Sequence, residues 1–313
     1  MKYPHVPVLA REVVSILLWK DDGIYVDATA GSGGHSELIA RHLNERGRLV
    51  SIDRDPFAVR MVSERLAFIG DRARVINGNF SELPGLLSTC GIERVDGILL
   101  DLGMSSYQLD SSGRGFSITA DELLDMRMDP SLDLTAWNLV NSSPCKDLER
   151  IFRNYGEERR AAQIARAICR AREKRAIETS LELSSLIASV FPPSSRFKPR
   201  HPAIKSFQAL RIAVNNELGN LEKFLDFAPS LLNDSGRLVV LSYHSLEDRL
   251  VKRAISSWEK GCKCPPGLPV CACGFKVLFR CLTKKGIRAL PDEIESNPRA
   301  RSAVLRAARR VFK

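Results

Sequence analysis

An α/β fold with a mainly parallel sheet, interrupted by an all-helical insert, is predicted by three observations on this chain. Short runs rich in Val, Ile and Leu alternate with helical patterns as far as Asp101. That alternation stops between Leu102 and about Ser206, where only helical patterns and loops are found. It then returns with one long helix and Gly236–Tyr243 as a further strand. Strand and helix alternating at the pace of βαβ units imply parallel strands joined by right-handed crossovers.

The strands expected in the first part are Gly23–Thr29, Arg48–Asp53, Ala73–Asn77 and Val95–Asp101. Between them Ser36–Arg46, Pro56–Phe68 and Ser81–Cys90 read as helices. Asp110–Pro130 is rich in Gly, Ser and Asp and reads as a long loop. Leu134–Val140, Cys145–Tyr155, Glu157–Lys174 and Ser180–Val190 follow as helices, and four prolines in Phe191–Pro202 stop any continuation. A helix from Phe207 to about Asn233 precedes the fifth strand; Phe275–Leu282 and Ala303–Arg309 read as closing elements. The expected division is residues 1–106, an insert over 107–205, and a second part over 206–313. No internal repeat or low-complexity tract interrupts this pattern.

Composition excludes several classes. With 44% hydrophobic and 27% charged residues the chain reads as a globular protein, not a disordered or fibrous one. No run approaches the roughly 18 apolar residues of a membrane span, and charges near the start leave no secretory h-region. The expected compartment is the cytoplasm, with no membrane association. Eight cysteines in such a chain argue against a disulfide framework. A net charge of +10 points to a polyanionic partner such as nucleic acid. The cations concentrate in Glu157–Ala176, which holds Arg159, Arg160, Arg166, Arg170, Arg172, Lys174 and Arg175, and in a tail with Arg299, Arg301, Arg306, Arg309, Arg310 and Lys313.

Four islands fall where a nucleotide-like cofactor would bind, at the carboxyl ends of the expected strands. The first, Asp27-Ala-Thr-Ala-Gly-Ser-Gly-Gly-His35, brings Gly31, Gly33 and Gly34 into a strand-to-helix turn, where backbone N–H groups can approach a ligand closely. Glycines serve such turns for structural reasons as well. The dinucleotide fingerprint is not met, because Ser36 stands where its third glycine belongs. Asp53 ends the second strand, at the place of a ribose-binding acid. Asn79-Phe80 offers a polar group and an apolar face suited to adenine, although such a phenylalanine more often belongs to a core. The fourth strand ends in Asp101-Leu-Gly-Met-Ser-Ser106. A carboxylate and turn carbonyls there suit methyl transfer to an exocyclic amine. They pull on the amine hydrogens and stabilise the positive charge that develops.

The series His5-Val-Pro-Val-Leu, Ala-Gly-Ser-Gly-Gly-His, Ile-Asp-Arg-Asp, Leu-Leu-Asp-Leu-Gly-Met-Ser-Ser-Tyr-Gln-Leu-Asp, Arg114-Gly-Phe-Ser, Leu124-Asp-Met-Arg-Met-Asp, Tyr155-Gly-Glu-Glu-Arg, Phe207-Gln-Ala-Leu-Arg-Ile-Ala-Val-Asn-Asn-Glu-Leu, Ser242-Tyr-His-Ser-Leu-Glu-Asp-Arg and Asn297-Pro-Arg-Ala-Arg-Ser resembles the bacterial MraW-type methyltransferases. The resemblance runs in unbroken order from His5 to about Leu305. It implies a class I, Rossmann-like methyltransferase fold interrupted by a helical domain. It implies S-adenosyl-L-methionine as methyl donor and N4 of a cytosine in the decoding region of small-subunit (16S) ribosomal RNA as acceptor. Cofactor contacts are implied for Gly33, Gly34, His35, Asp53, Phe80, Asp101 and Gln108, with Asp101 as the catalytic residue and no metal. The expected partner is that RNA or the small ribosomal subunit, with no obligate protein partner and a homodimer allowed. One departure is Tyr107, where a proline or small residue is the family's habit.

Three constellations stay open. Ser242-Tyr-His244-Ser-Leu-Glu247-Asp248-Arg249 could orient the base or relay a proton, or could be a helix cap beside a packed histidine. Arg211 and Asn215 lie one helical turn apart and could face the base or its phosphate; Arg211 could equally pair with Glu217 or Asp226. Cys262, Cys264, Cys271 and Cys273 could hold a structural zinc, but their C-x-C spacing favours unmetallated thiols. Among rival functions, a protein-glutamine methylase is disfavoured by the absence of Asn-Pro-Pro-Tyr. A non-catalytic RNA-binding factor is disfavoured by the intact glycine loop, and a dehydrogenase by Ser36.

Overall fold

The computed structural model describes residues 6–110, 112–192, 201–260, 264 and 277–311. The chain divides into two compact units: Met1–Gly103 together with Gly219–Lys313, and Met104–Leu218.

The first unit is a seven-stranded sheet in the order β3-β2-β1-β4-β5-β7-β6. Its strands are β1 (Ile24–Asp27), β2 (Arg48–Asp53), β3 (Ala73–Asn77), β4 (Val95–Asp101), β5 (Leu232–Ser242), β6 (Phe279–Cys281) and β7 (Val304–Arg310). The first five pair in parallel, while β7 runs antiparallel to both β5 and β6. Because side chains alternate along a strand, neighbours in β1, β2 and β4 serve opposite faces. Val26, Val50, Ile98 and Leu100 join one buried cluster, which contains Phe224 and Leu225. Tyr25, Leu49 and Leu99 join another, with Val13, Leu17, Ile39 and Val62. A sheet buried on both sides needs near-continuous apolar strands, which is why Ile98-Leu-Leu100 carries no polar residue.

The helices of this unit are α1 (Ala10–Leu17), α2 (Gly34–His42), α3 (Pro56–Leu66) and α4 (Leu83–Thr89). The Asp55 carboxylate caps α3 by accepting from the Phe57 amide at 3.0 Å, with Pro56 in the first turn where its missing N–H costs nothing. Helix α1 had no counterpart among the expected elements.

The second unit contains α5 (Ser106–Asp110), α6 (Ala136–Ser142), α7 (Cys145–Gly156), α8 (Ala161–Arg172), α9 (Ser180–Ser189) and α10 (Ile204–Asn215). One apolar core, including Phe116, Met126, Phe152, Ile164 and Leu210, holds them. Reciprocal capping boxes, Thr135 with Asn138 and Thr179 with Glu182, start α6 and α9. Two arginines of the basic stretch are structural. Arg172 donates to the Val140 and Ser143 carbonyls, and Arg160 to the Val190 carbonyl. The unit extends beyond 107–205 because α10 packs on α7, where a side chain at Gly156 would stand 2.7 Å from the Lys205 carbonyl oxygen.

Helices α11 (Glu217–Leu231), α12 (Ser245–Lys260) and α13 (Pro291–Ser296) follow among the described residues. The single helix expected from Phe207 to Asn233 is in fact two. Asn216 adopts a left-handed conformation (φ 46°) that ends α10, and asparagine tolerates this better than most residues. The closing element expected at Ala303–Arg309 is present in the basic tail. Most of it is β7, an inner strand, where Arg306 pairs with Asp248 at 2.6 Å and Arg310 donates to the Pro229 and Leu232 carbonyls. Of the closing segment 275–282, only Phe279–Cys281 is strand within the described residues.

Candidate active site

The carboxyl ends of β1, β2 and β4 lie side by side, since Asp27 pairs with Ser51 on one flank and Leu99 on the other. This register brings Asp27, Gly31–His35, Asp53 and Asp101 to one edge of the sheet. The turn after β1 is tied down by three backbone donors. Ala30 donates to the Ile52 carbonyl at 2.9 Å, Gly33 to the Ala30 carbonyl at 2.8 Å, and Gly31 to the Asp53 carboxylate at 2.8 Å. Gly33 takes φ +82°, a backbone conformation that strains any residue with a Cβ, and the Arg65 side chain stands 3.0 Å from where that Cβ would be. Ser36 is explained as well. Its hydroxyl donates to Asp27 at 2.7 Å and meets Ser51 Oγ at 2.9 Å, a contact that glycine could not make.

Asp53 receives two backbone amides, Gly31 on Oδ2 and Asp55 on Oδ1 at 2.9 Å. Burial nevertheless raises its pKa, the two amides opposing. Asp27 is fully enclosed, and burial lifts its pKa to about 6 against the pull of Ser36. Two residues past β3 stands Asn79, whose side chain accepts from the Ser81 amide at 3.0 Å. Phe80 is 8% exposed and meets Phe224 edge-on, ring centroids 5.9 Å apart, so the core claims most of its ring.

At the end of β4 the Asp101 amide donates to Thr29 Oγ1 at 2.6 Å. Its side chain is held on both sides. Tyr243 Oη donates to Oδ1 at 2.7 Å, and His35 Nε2 stands 3.5 Å from Oδ2. His35 is 5% exposed, and neither ring nitrogen finds a hydrogen-bond partner among the described residues. Burial works against a charged ring there, but Asp101 and Asp27 outweigh it and raise the His35 pKa. A partly exposed carboxylate placed beside such an imidazole can accept hydrogens from a neutral donor.

The Ser242–Arg249 segment resolves into a cap and an anchor. Glu247 Oε2 accepts from the Tyr243 amide at 2.9 Å, and Oε1 lies 3.1 Å from His244 Nε2. Sequence reasoning singled out His244 and passed over Tyr243. The usable signal was its position, one residue beyond a strand adjacent to β4.

The remaining expected residues belong to the helical unit. Gln108 is buried, and its Oε1 accepts from the Ser105 amide at 3.1 Å, closing the first turn of α5. Arg211 makes a two-pronged pair with Glu217 at 2.8 and 2.9 Å, which decides between its alternatives. Asn215 accepts from the Met128 amide at 2.8 Å and donates to the Met126 carbonyl at 2.7 Å, pinning a loop in which Met126 has φ 58°. Both therefore clamp this unit. On its surface, Gln163, Arg166 and Arg170 of α8 and Leu186, Ser189 and Val190 border a groove of about 480 Å³ with no acidic residue in its lining. Cys262, Cys271 and Cys273 lie outside the described residues, and so does Lys313.

Residues 2–311 match the sequence profile described as the MraW methylase family. A protein of Desulfosudis oleivorans is 46% identical over 312 residues, covering 99% of this chain and 100% of its own length. One of Symbiobacterium thermophilum is 46% identical over 307 residues, covering 98% and 96%. One of Geobacter sulfurreducens is 46% identical over 311 residues, covering 99% and 100%. All three are named ribosomal RNA small subunit methyltransferase H.

Proposed function

This chain belongs to the MraW methylase family, and from that premise we propose that it transfers a methyl group from S-adenosylmethionine to N4 of a cytosine in the decoding region of 16S ribosomal RNA. The observation that carries the reading is the Asp101 carboxylate at the end of β4, beside the glycine turn.

The residues at this edge fit such a donor. Gly33 and Gly34 shape the strand-to-helix turn, Asp53 offers a fixed acceptor for ribose hydroxyls, and the buried His35 ring has nitrogens without a hydrogen-bond partner among the described residues. When bound, S-adenosylmethionine supplies an electrophilic methyl group on a positively charged sulfur. The protein's task is then largely positioning and charge. The cytosine N4 lone pair is delocalised into its ring. Asp101, with the carbonyls of Leu102 or Gly103, accepts the amine hydrogens and draws the nitrogen toward a nucleophilic geometry. The same carboxylate stabilises the positive charge that grows on N4, then takes the proton that must leave. A cytosine must be unstacked to reach such a residue, so single-stranded or splayed RNA is the substrate form. Helix α8 presents exposed Arg159, Arg166, Arg170 and Lys174 in and around its ends, a surface suited to phosphates.

The test is to incubate the chain with small-subunit particles and methyl-labelled S-adenosylmethionine, then map the label. One labelled cytosine in the decoding region is expected. Label on another base, on protein, or nowhere overturns the reading.

A further inference from the structure

We propose that Tyr243 is a positioning residue for Asp101: its hydroxyl, donated to one carboxylate oxygen, fixes which lone pairs remain for the incoming amine. The inference rests on the reading in which Asp101 receives that amine.

Four observations carry it. The Tyr243 Oη to Asp101 Oδ1 distance is 2.7 Å, short as expected for a neutral donor on a charged acceptor. The opposite oxygen faces His35 Nε2 at 3.5 Å, so the carboxylate is flanked by the residue after β5 on one side and by the start of α2 on the other. The phenol is itself held at both ends. Its backbone amide donates to buried Glu247 at 2.9 Å, and its ring lies 3.3 Å from where a side chain on Gly103 would stand. Gly103 has φ +102°, so the chain turns away directly after Asp101 and leaves that space to the ring. The hydroxyl also stays protonated: burial first, then Asp101, push the tyrosine pKa well above its ordinary value. It is a donor at every working pH.

Packing alone would be satisfied by phenylalanine. A tyrosine in this environment places a polar atom that must find a partner. The partner it finds is the one carboxylate the proposed chemistry needs in a single orientation. One oxygen saturated by Tyr243 leaves Asp101 with a defined direction in which to accept amine hydrogens. A freely rotating carboxylate would pay for that alignment at each turnover.

Three variants test this: Tyr243→Phe, Asp101→Asn and the two combined. The readouts are kcat and KM on small-subunit particles, S-adenosylmethionine affinity by calorimetry, and melting temperature. Tyr243→Phe keeps the ring against Gly103. It is expected to lower kcat about tenfold or more, with cofactor Kd, particle KM and melting temperature held within about twofold or a few degrees. If Tyr243 works through Asp101, adding it to Asp101→Asn lowers kcat by no more than about threefold further, since groups acting as a unit are not additive. A Tyr243→Phe protein with unchanged kcat overturns the proposal. So does a loss confined to Kd or melting temperature, or losses that multiply in the double variant. No methylation by the unaltered chain would overturn the functional reading itself and this inference with it.

Discussion

Asp53 shows how one carboxylate serves fold and ligand together. It holds the turn after β1 through the Gly31 amide and its own strand end through the Asp55 amide. Asp53→Ala removes both acceptors and the proposed ribose contacts, so cofactor Kd should rise about ten- to a hundredfold by calorimetry. Binding within twofold of the unaltered chain would place the ribose elsewhere. Asp27 supports a pH prediction. Its pKa is about 6 in the folded chain against an ordinary 3.8. Between those values the folded state holds a proton that the unfolded state has lost, so stability falls as pH rises. The slope is about 1.4 kcal/mol per pH unit, or roughly 3 kcal/mol across the window. The raised pKa of His35 acts in the same direction, and its contribution is lost as pH rises through that higher value. Urea unfolding from pH 4 to 7 should therefore show a shallower decline for Asp27→Asn than for the unaltered chain. Equal slopes would remove Asp27 from this role. At this scale the sequence made legible where Asp53 and Asp101 stand, each at the last position of a strand, because the apolar runs of β2 and β4 end there. It did not make Tyr243 legible, because its partner lies 142 positions away in the chain. Nor could it assign Asn215, whose amide serves a loop that local pattern does not reveal.

Among the elements, the break between α10 and α11 was the least readable. Apolar periodicity runs through Asn216 without interruption, and only a backbone in the left-handed region ends the helix there. The Arg211–Glu217 pair spans this break, with side chains only 11% and 8% exposed. Removing one member of such a pair leaves the other buried without that counter-charge. Glu217→Ala should cost about 3–5 kcal/mol in urea unfolding, whereas replacing both residues with apolar ones should cost much less. Equal losses would show that the pair matters through packing, not charge. The parallel strands were easier to read, since burial on both faces forces uninterrupted apolar runs. Helices α1 and α13 were missed because short segments carry too few turns for a periodic signal.

For the molecule as a whole, a net charge of +10 is not spread evenly in its uses. Arg306 and Arg310 are consumed by internal partners on β7, and Arg160 and Arg172 by carbonyls of the helical unit. Part of the tail's positive charge is therefore used within the fold. What remains outward includes Arg166 and Arg170 beside the α8–α9 groove. Replacing both with glutamine should raise the KM for small-subunit particles several-fold and leave cofactor affinity unchanged. The log–log dependence of binding on salt should flatten by about 0.7–0.9 for each phosphate that is no longer neutralised. An unaltered salt slope would assign the phosphates to other cations.

The sheet is also discontinuous in the chain. Strand β4 finds its neighbour β5 only after the whole of Met104–Leu218 has been made, and β5 in turn must wait for β7. During synthesis the helical unit can close on itself while the apolar flank of Ile98-Leu-Leu100 stands open, a surface prone to mispairing and to capture by chaperones. Cells starved of such help should lose this protein to aggregates before its finished form shows any lack of stability.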